Sequence, residues 1–472
     1  MPDTTLVSRL LHAAARWPDR PAWTFVDAEG VEVTLTFDEV ELRTAAVAQA
    51  LRERGVEAGD RVAVMLDNQP EFPVTWLALT RLGAAIVPLN VRYRSVDAQH
   101  LLDDAGVRVA VTSAAYADLL RRLDRPPTVH LVDDLSPERD FAQGPVDPAA
   151  IVNVQYTSGT TGRPKGCLLS HRYWTTLATS LVDEFPRIGS DDVMLTAQPF
   201  HYIDPMWNMV TALSAGAHLV VLDGFHPSTF WDQVRRHGVT YFYCLAAMPT
   251  LLLRMPPDHL DREHRVRAVQ CSAIPPSLHA ELEKRWGAPW FEAFGMTETG
   301  ADIRVSPDDH DELVGSGCLG RPAAHREVRI DDGGQMWLRG AGMMDGYLGH
   351  PDPFVDGWFP TGDLARVDDQ GRVYLQGRLK DMIRRSGENI AAREVEEVLL
   401  SHPAVRLAAV VGVPDDIRGE EVKAYVVAPD ASEEELAAWC TERLASFKVP
   451  RFWEFRDDLP LTASHRVEKS KL

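Results

Sequence analysis

Short apolar runs alternate with amphipathic stretches through the first part of the chain. RVAVMLDN at 61–68 predicts a buried strand, EFPVTWLALTRLG at 71–83 predicts a helix, and AAIVPLN at 84–90 predicts a second strand. This alternation is typical of parallel α/β units. The segment SPERDFAQGPVDPA at 136–149 contains three prolines and a glycine, and therefore predicts a loop.

The strand pattern resumes at residue 151 with IVNVQYTSG, which runs into a loop rich in glycine and threonine. AHLVVLDG at 217–224 and VTYFYCLA at 239–246 predict further buried strands. Between 311 and 379 the chain changes to short strands with frequent glycines. This texture predicts a small β subdomain built from hairpins.

The pattern changes again after Lys380. The sequence there predicts two helices, at 391–402 and 433–444, and two strands, at 404–415 and 420–429. A segment of this size with its own helices and strands forms a separate domain. We expect an α/β fold, with a large N-terminal domain (1–379) of stacked α/β subdomains plus the small β subdomain. An α+β C-terminal domain (380–472) follows, with the boundary near 379–381.

Composition restricts the function classes. The 472 residues are too many for one compact core, and 45% hydrophobic and 25% charged residues are typical of a globular protein. The net charge of −20 argues against a nucleic-acid partner, although backbone N–H groups can still bind phosphate in an acidic protein. No run reaches the roughly 18 apolar residues of a membrane span, so we expect no membrane partner.

The cysteines are scattered, odd in number and without C-x-x-C spacing: Cys167, Cys244, Cys271, Cys318 and Cys440. They predict buried thiols in a reducing, cytoplasmic compartment rather than disulfides or a zinc site. The final Ser470-Lys471-Leu472 spells a peroxisomal address, which we interpret as a coincidence in a composition of bacterial type.

A loop signature carries the strongest chemical signal, Tyr156-Thr-Ser-Gly-Thr-Thr-Gly-Arg-Pro-Lys-Gly166. Small hydroxyl residues and glycines can wrap a polyphosphate closely, and Lys165 adds positive charge. The G-K-[ST] ending of a Walker A loop is absent. A surface turn is the alternative, but the full string favours a phosphate-binding loop. Its predicted binding residues are Thr157, Ser158, Gly159, Thr160, Thr161 and Gly162.

The string resembles the phosphate loop of the ANL superfamily, which contains acyl-CoA synthetases, peptide-synthetase adenylation domains and luciferases. Further segments resemble the family's motifs in the family's order and extend the resemblance over nearly the whole chain. They are Phe294-Gly-Met-Thr-Glu298, Gly357-Trp-Phe359 with Thr361-Gly-Asp363-Leu364, Gly377-Arg378-Leu-Lys380-Asp-Met-Ile, and Ser386-Gly-Glu-Asn-Ile390.

The resemblance implies an attack by a carboxylate on the α-phosphate of ATP, with loss of pyrophosphate. Catalysis of such a transfer consists mainly of positioning and electrostatic stabilisation. Glu298 is then the Mg²⁺ ligand and Thr297 a donor to the α-phosphate. Asp363 would accept the ribose hydroxyls, with Arg378 beside them. Phe294 would place its aromatic ring against the adenine, and Gly295 and Met296, which follow it in the motif, would also contact the nucleotide.

The segment Ser272-Ala273-Ile274-Pro275 stands where many relatives have a Gly-Gly-Ala-Pro loop under the adenine. The glycines are replaced here. We expect Cys271 and Ser272 to narrow this loop, which still lies in the nucleotide site.

The segment Pro199-Phe-His201-Tyr-Ile-Asp204-Pro-Met-Trp207 resembles the motif that lines the acid pocket. His201 would close against the carboxylate and later move to admit the thiol. Asp204 and Trp207, with Tyr202, could hold an amino or quaternary ammonium group of the substrate. The interpretation that we favour for Asp204 is a helix cap, with Pro205 at the first helical position.

The main departure from the family is at the C-terminus. Where relatives have a glycine and a catalytic lysine, this chain has His465 and Arg466. Arg466 keeps the positive charge but replaces a compact ammonium with a planar fork, and it could still bridge the α-phosphate and the acid. Two alternatives stay open: Lys469 is the working residue, or adenylation is slow or uses an unusual acid.

The family's C-terminal domain is mobile, and it rotates about a hinge that corresponds to Lys380. One orientation would bring Arg466 to ATP, and the other would present residues 386–390 to the same pocket. Gly387, which lacks a side chain, would leave room for the pantetheine arm of coenzyme A. Such a rotation lets one pocket serve two reactions.

These observations predict an acyl-CoA synthetase, monomeric or homodimeric, that uses ATP, Mg²⁺ and coenzyme A. The spacing after His201 resembles crotonobetaine or carnitine ligases and medium-chain or aryl acid ligases. One alternative is an adenylate-forming ligase with another acceptor or acid: an amine, a carrier-protein thiol, or nitrite activated for an aryl amine, as in ATP-dependent diazotases. The third hypothesis is a binding protein without catalysis. The intact Thr297, Glu298, Asp363 and Arg378 argue against it.

Overall fold

A computed structural model describes residues 4–135, 141–157, 164–245, 247–385, 388–415, 417–461 and 467–472. Its α-helices, numbered in chain order, are α1 (Leu6–Arg16), α2 (Phe37–Glu53), α3 (Glu71–Leu82), α4 (Ser95–Ala105), α5 (Ala114–Arg121), α6 (His171–Asp183), α7 (Ile203–Ala215), α8 (Phe230–Arg236), α9 (Met248–Leu253), α10 (Pro276–Trp286), α11 (Pro307–Leu313), α12 (Ala392–Leu400) and α13 (Glu433–Arg443).

The strands are β1 (Pro21–Val26), β2 (Glu32–Thr36), β3 (Arg61–Met65), β4 (Ala85–Pro88), β5 (Val109–Thr112), β6 (Thr128–Leu131), β7 (Ile151–Thr157), β8 (Lys165–Ser170), β9 (Val193–Thr196), β10 (His218–Leu222), β11 (Tyr241–Leu245), β12 (Ala268–Ser272), β13 (Trp290–Met296), β14 (Gly300–Arg304), β15 (Cys318–Pro322), β16 (Arg326–Ile330), β17 (Gln335–Gly340), β18 (Phe359–Val367), β19 (Val373–Arg378), β20 (Met382–Arg385), β21 (Glu388–Ala391), β22 (Leu407–Asp415), β23 (Gly419–Val427) and β24 (Phe452–Phe455).

Two large sheets form the N-terminal part. One has the order β6-β5-β3-β4-β7-β8 and is parallel except for its last pair. The other has 13 described strands, of which β13-β12-β11-β9-β10-β1 pair in parallel. The glycine-rich strands of 311–379 are its antiparallel end, because β15 pairs with β14 and the ladder continues unbroken. The sequence predicted the parallel α/β units, which are confirmed.

Helices α6 and α7 lie in the core cluster that covers both sheets. The Trp76 ring packs edge-on against Trp174 of α6 at 4.6 Å, and Trp76 Nε1 donates to Val152 O of β7 at 3.1 Å. Helix α1 adds an apolar face with Leu6 and Leu10 buried. Fully buried tryptophans of this size supply much of the hydrophobic stabilisation. They also fix β7, α6 and α7, which carry the candidate site.

A smaller sheet follows residue 381. Strands β21-β20-β23-β22 pair in that order, β24 adds to β23, and α12 and α13 pack through a separate core cluster. The large N-terminal and small C-terminal parts agree with the predicted fold class. The boundary at 379–381 stays a prediction.

All five cysteines are free and buried, as the sequence predicted. Among the helices of the described ranges, none has the length and apolar character needed to cross a bilayer.

Candidate active site

The hairpin β7–β8 carries the ends of the predicted phosphate loop. Thr157 is the last residue of β7 and stands opposite Lys165, the first residue of β8. The loop residues between them lie outside the described ranges, including the predicted Ser158, Gly159, Thr160, Thr161 and Gly162.

Tyr347 joins this hairpin to Glu298. Its backbone forms a bridge with Cys167 of β8, and its ring centroid lies 5.2 Å from Lys165 Nζ. The Tyr347 hydroxyl donates to Glu298 Oε1 at 2.9 Å. The sequence motifs did not indicate Tyr347, because its position depends on pairing between segments distant in sequence.

Glu298 has the electrostatic character of a cation ligand. Burial raises the pKa of its carboxyl group, while Tyr347 and the charge of Arg378 lower it and Asp363 raises it further. A bound divalent cation would favour the ionised form and supply a hard charge for oxygen ligands. The carboxylate therefore fits the Mg²⁺ that the family implies.

Thr297 and Glu298 lie in the tight turn between β13 and β14, where Met296 pairs with Gly300. Gly295 has no room for a side chain, since a Cβ there would lie 2.3 Å from Gly300 O. Gly295 and Met296, the motif residues before Thr297, thus have defined backbone positions.

A buried ion pair supports this turn from behind. Arg326 Nε donates to Asp302 Oδ1 at 2.6 Å, and Arg326 Nη2 donates to Thr299 O at 2.5 Å. Both side chains are almost fully buried, and burial raises the pKa of Asp302 to about 6. The ion pair thus fixes the backbone of Thr299, the residue that follows Glu298.

Asp363 and Arg378 are cross-strand partners on β18 and β19. Arg378 Nε lies 2.8 Å from Asp363 Oδ1, and the aspartate is only 1% exposed. The Thr361 hydroxyl accepts from Asp363 N at 3.0 Å and donates to Met336 O at 2.7 Å. Since both Asp363 and Arg378 act on the pKa of Glu298, the structure brings these three predicted residues together.

The segment after β12 forms a strained loop held by Glu292. Ala273 has φ of 69°, a left-handed conformation that glycine adopts more easily. Ala273 N and Ile274 N donate to the two carboxylate oxygens of Glu292 at 2.6 and 2.8 Å. The Ser272 hydroxyl donates to Ala293 O at 2.7 Å. Two hydrogen bonds to one buried carboxylate thus stabilise the alanine-containing loop.

Glu292 itself was not predicted from the sequence. Burial raises its pKa to about 7, although the two backbone N–H groups and the charge of Arg393 oppose this. Arg393 belongs to α12, in the C-terminal part of the chain.

A mainly apolar pocket begins beside Phe294 and Gly295 and has an empty volume of about 470 Å³. Asp204 and Trp207 of α7 line it. Trp207 Nε1 donates to the buried Tyr173 hydroxyl at 3.0 Å. We call this the acid pocket.

The expected cap role of Asp204 is wrong. Helix α7 begins at Ile203 with Tyr202 as the N-cap, so Asp204 and Pro205 are its second and third residues. Proline is tolerated throughout the first turn because N–H groups there have no intrahelical acceptor. The helix can therefore start earlier than Pro205 indicated, which places Asp204 on the pocket wall.

His201 is buried just before α7. Burial, together with the charge of Arg92, lowers its pKa to about 3, so the ring is neutral at physiological pH. Gln155 Nε2 of β7 donates to His201 O at 2.8 Å, while His201 Nε2 has no hydrogen-bond partner within the described ranges.

Only some of the residues predicted to act in the C-terminal part of the chain lie within the described ranges. His465, Arg466 and Gly387 lie outside the described residues. Lys380 is exposed in the short turn Leu379–Asp381. Lys469 Nζ lies 2.7 Å from Glu396 Oε1 and 3.7 Å from Asp381 Oδ2.

A large cleft separates the N-terminal and C-terminal parts, with an empty volume of about 1590 Å³. Ala273 and Arg378 line one side, and Arg393 and Lys469 line the other. The cleft therefore connects the candidate nucleotide residues to the C-terminal domain. Motif residues that resemble those of adenylate-forming enzymes thus line both this cleft and the neighbouring apolar pocket.

Comparisons with known proteins agree. Residues 10–348 match the family "AMP-binding enzyme", and residues 394–466 match "AMP-binding enzyme C-terminal domain". The chain is 33% identical to feruloyl-CoA synthase from an Amycolatopsis species, over 97% of each chain. It is also 33% identical to sulfoacetate–CoA ligase from Cupriavidus necator, over 99% of this chain and 97% of the relative.

Among solved structures, o-succinylbenzoate coenzyme A synthetase from Bacillus subtilis in complex with ATP and magnesium superposes with a TM-score of 0.87 at 28% identity, covering 98% of both chains. The chain belongs to the AMP-binding enzyme family, within the ANL superfamily of adenylate-forming enzymes. The prediction of a ligase that uses ATP, Mg²⁺ and coenzyme A is confirmed by these relatives.

Proposed function

We propose that the protein activates a small carboxylic acid with ATP and transfers the acyl group to coenzyme A. The observation that carries this proposal is the meeting of Glu298, Asp363 and Arg378 beside the acid pocket. The proposal also draws on the CoA ligases that the chain resembles over nearly its full length.

In the first step, a carboxylate oxygen of the acid attacks the α-phosphorus of ATP, and pyrophosphate leaves with the electron pair of the broken P–O bond. Asp363 accepts hydrogen bonds from the ribose, and Arg378 orients that carboxylate through its ion pair. Glu298 would hold a magnesium ion, which would supply positive charge to neutralise the phosphates. Thr297 donates to the α-phosphate from the turn that Asp302 and Arg326 support.

In the second step, the thiol sulfur of coenzyme A attacks the acyl carbon and AMP leaves. The neutral His201 places no positive charge against the acid, and it is buried beside the pocket without lining it. We propose that Lys380 is the hinge about which residues 380–472 rotate between the steps, because it is exposed where the two parts of the chain meet.

The test is a screen of acids for pyrophosphate release, with and without coenzyme A. Nitrite with an aryl amine and a carrier-protein thiol serve as the alternative acids and acceptors. Acid-dependent release with coenzyme A-dependent thioester formation supports the proposal. Glu298→Gln should reduce release by at least about a hundredfold, because it removes a transition-state electrostatic interaction. Pyrophosphate release without thioester formation would assign the acceptor to another class.

A further inference from the structure

The acid pocket has a polar end that the proposed reaction does not use. We call the part lined by Tyr241, Gln270 and Arg304 its far end. Arg304 stands three positions beyond Ala301, which pairs with Gly295 next to the nucleotide turn. At about 3.3 Å per strand residue, Arg304 lies roughly 10 Å along the strand from that pair.

The strand register places Gln270 and Tyr241 on the same side. Strands β11 and β12 are parallel and both run toward Ser272, at the end of β12 next to the loop that Glu292 holds. Gln270 precedes Ser272 by two positions, and Tyr241 is the first residue of β11. All three residues of the far end are therefore remote from the nucleotide turn.

Two buried nitrogens at the far end lack acceptors. The Tyr241 hydroxyl donates to Gln270 Oε1 at 2.7 Å, which leaves Gln270 Nε2 without a partner among the described residues. Arg304 Nη2 donates to the Ser180 hydroxyl and lies 3.5 Å from Glu184, but Nη1 has no described partner. Gln270 and Arg304 are 2% and 7% exposed. A buried donor without an acceptor destabilises the structure, so each of these nitrogens favours a ligand that accepts from it.

The rest of the lining combines the aromatic rings of Trp207, Tyr243 and Phe294 with aliphatic and small residues, and its other polar members are Asp204 and Asn208. We propose that the far end binds an oxygen atom carried by the substrate acid at the end remote from its carboxyl group. Gln270 and Arg304 donate to this oxygen, and the aromatic walls hold a flat or apolar body between the two ends. This inference rests on the proposed function and names the substrate class of the same pocket.

Because nearby carboxylates compensate the positive charge of Arg304, the substrate oxygen that it binds can be neutral. Glu184 and Asp302 both act on Arg304 from outside the lining and compensate its charge. An oxygen of a hydroxyl, ether, carbonyl or carboxylate group can accept the two hydrogen bonds. A methyl or unsubstituted end cannot, and would leave both donors buried without partners.

The experiment compares matched acids in ATP–pyrophosphate exchange. One series is cinnamic acid with its para-hydroxy, para-methoxy and para-carboxy derivatives, and the other is hexanoic acid with its omega-hydroxy and omega-carboxy derivatives. We expect kcat/KM for an oxygen-bearing acid to exceed that of the plain acid by at least about tenfold. A preference for carboxy derivatives assigns an anionic end group, and a preference for hydroxy or methoxy derivatives assigns a neutral one.

Gln270→Met should reduce the preference to near unity by lowering kcat/KM for the oxygen-bearing acids. Tyr241→Phe removes the hydroxyl that donates to Gln270 Oε1 and should also reduce the preference for oxygen-bearing acids. This variant provides the test if Gln270→Met does not fold. Gln233→Met is the matched control, since Gln233 is a helix α8 glutamine outside the pocket lining.

Equal use of plain and oxygen-bearing acids would overturn the inference, as would a preference that survives both variants. No exchange with any acid of either series, or of the wider acid screen described above, would instead contradict the proposed function, and the inference with it.

Discussion

The Tyr347 hydroxyl donates a 2.9 Å hydrogen bond to Glu298 Oε1, and this bond connects the β7–β8 hairpin to the acidic turn of the candidate active site. The Tyr347 ring also lies over the ammonium group of Lys165. One side chain therefore orients the proposed metal ligand and contacts the end of the phosphate loop.

Tyr347→Phe should weaken adenylation most at low pH. Burial already raises the pKa of Glu298, and the lost phenol donor would raise it further, so less of the carboxylate is ionised below neutrality. We expect kcat/KM for pyrophosphate release to fall by roughly three- to tenfold on the acid limb of the pH profile, with a smaller change above neutrality. The acid limb itself should move to higher pH.

Tyr116→Phe is the matched control, because the Tyr116 hydroxyl also donates to a carboxylate, Asp67, at 2.8 Å but away from the site. Its pH profile should match that of the wild type. An unchanged acid limb in Tyr347→Phe would show that the hydrogen bond does not act on the titrating group.

Breaking the buried Arg326–Asp302 pair should destabilise the protein strongly. Arg326→Met leaves a buried carboxylate without its partner, at a cost of about 3–5 kcal/mol in the free energy of unfolding. Urea unfolding of the single variant and of Arg326→Met with Asp302→Leu measures this, and the double variant should regain most of the loss. Arg339→Met breaks the exposed pair with Glu327 and should lower the free energy of unfolding far less, because water already screens both groups. Equal losses in both single variants would contradict the role of burial.

Glu292 should make stability fall as pH rises. Its folded pKa of about 7 is above the ordinary value of 4.5, so between these values the folded protein binds more protons than the unfolded chain. The free energy of unfolding therefore decreases across this window, by at most about 1.4 kcal/mol per pH unit from this group. Glu292→Gln should remove that contribution. Urea midpoints at several pH values test it, and parallel wild-type and variant profiles would exclude it.

The sequence identified residues whose signal is local. Thr297, Glu298, Asp363 and Arg378 lie in short strings that fix their spacing, and the alternation of strands and helices follows from hydrophobic periodicity. Tyr347, Glu292 and Gln270 were missed because contacts between distant strands bring them to the site. The cap predicted for Asp204 was wrong for a local reason, since proline fits any position in the first turn of a helix.

Arg466 and Lys469 are the two candidates for the role of the family's catalytic lysine, and single substitutions distinguish between them. Lys469 is engaged with Glu396 and Asp381, so it would have to break a 2.7 Å ion pair before it reached a phosphate. Arg466 is the better candidate, because its place in the sequence string matches that lysine. Arg466→Ala should reduce pyrophosphate release at least about a hundredfold, while thioester formation from a supplied acyl-adenylate changes little. Lys469→Ala should leave release within about threefold of the wild type. The reverse pattern would assign adenylation to Lys469 and require the ion pair with Glu396 to open during the reaction.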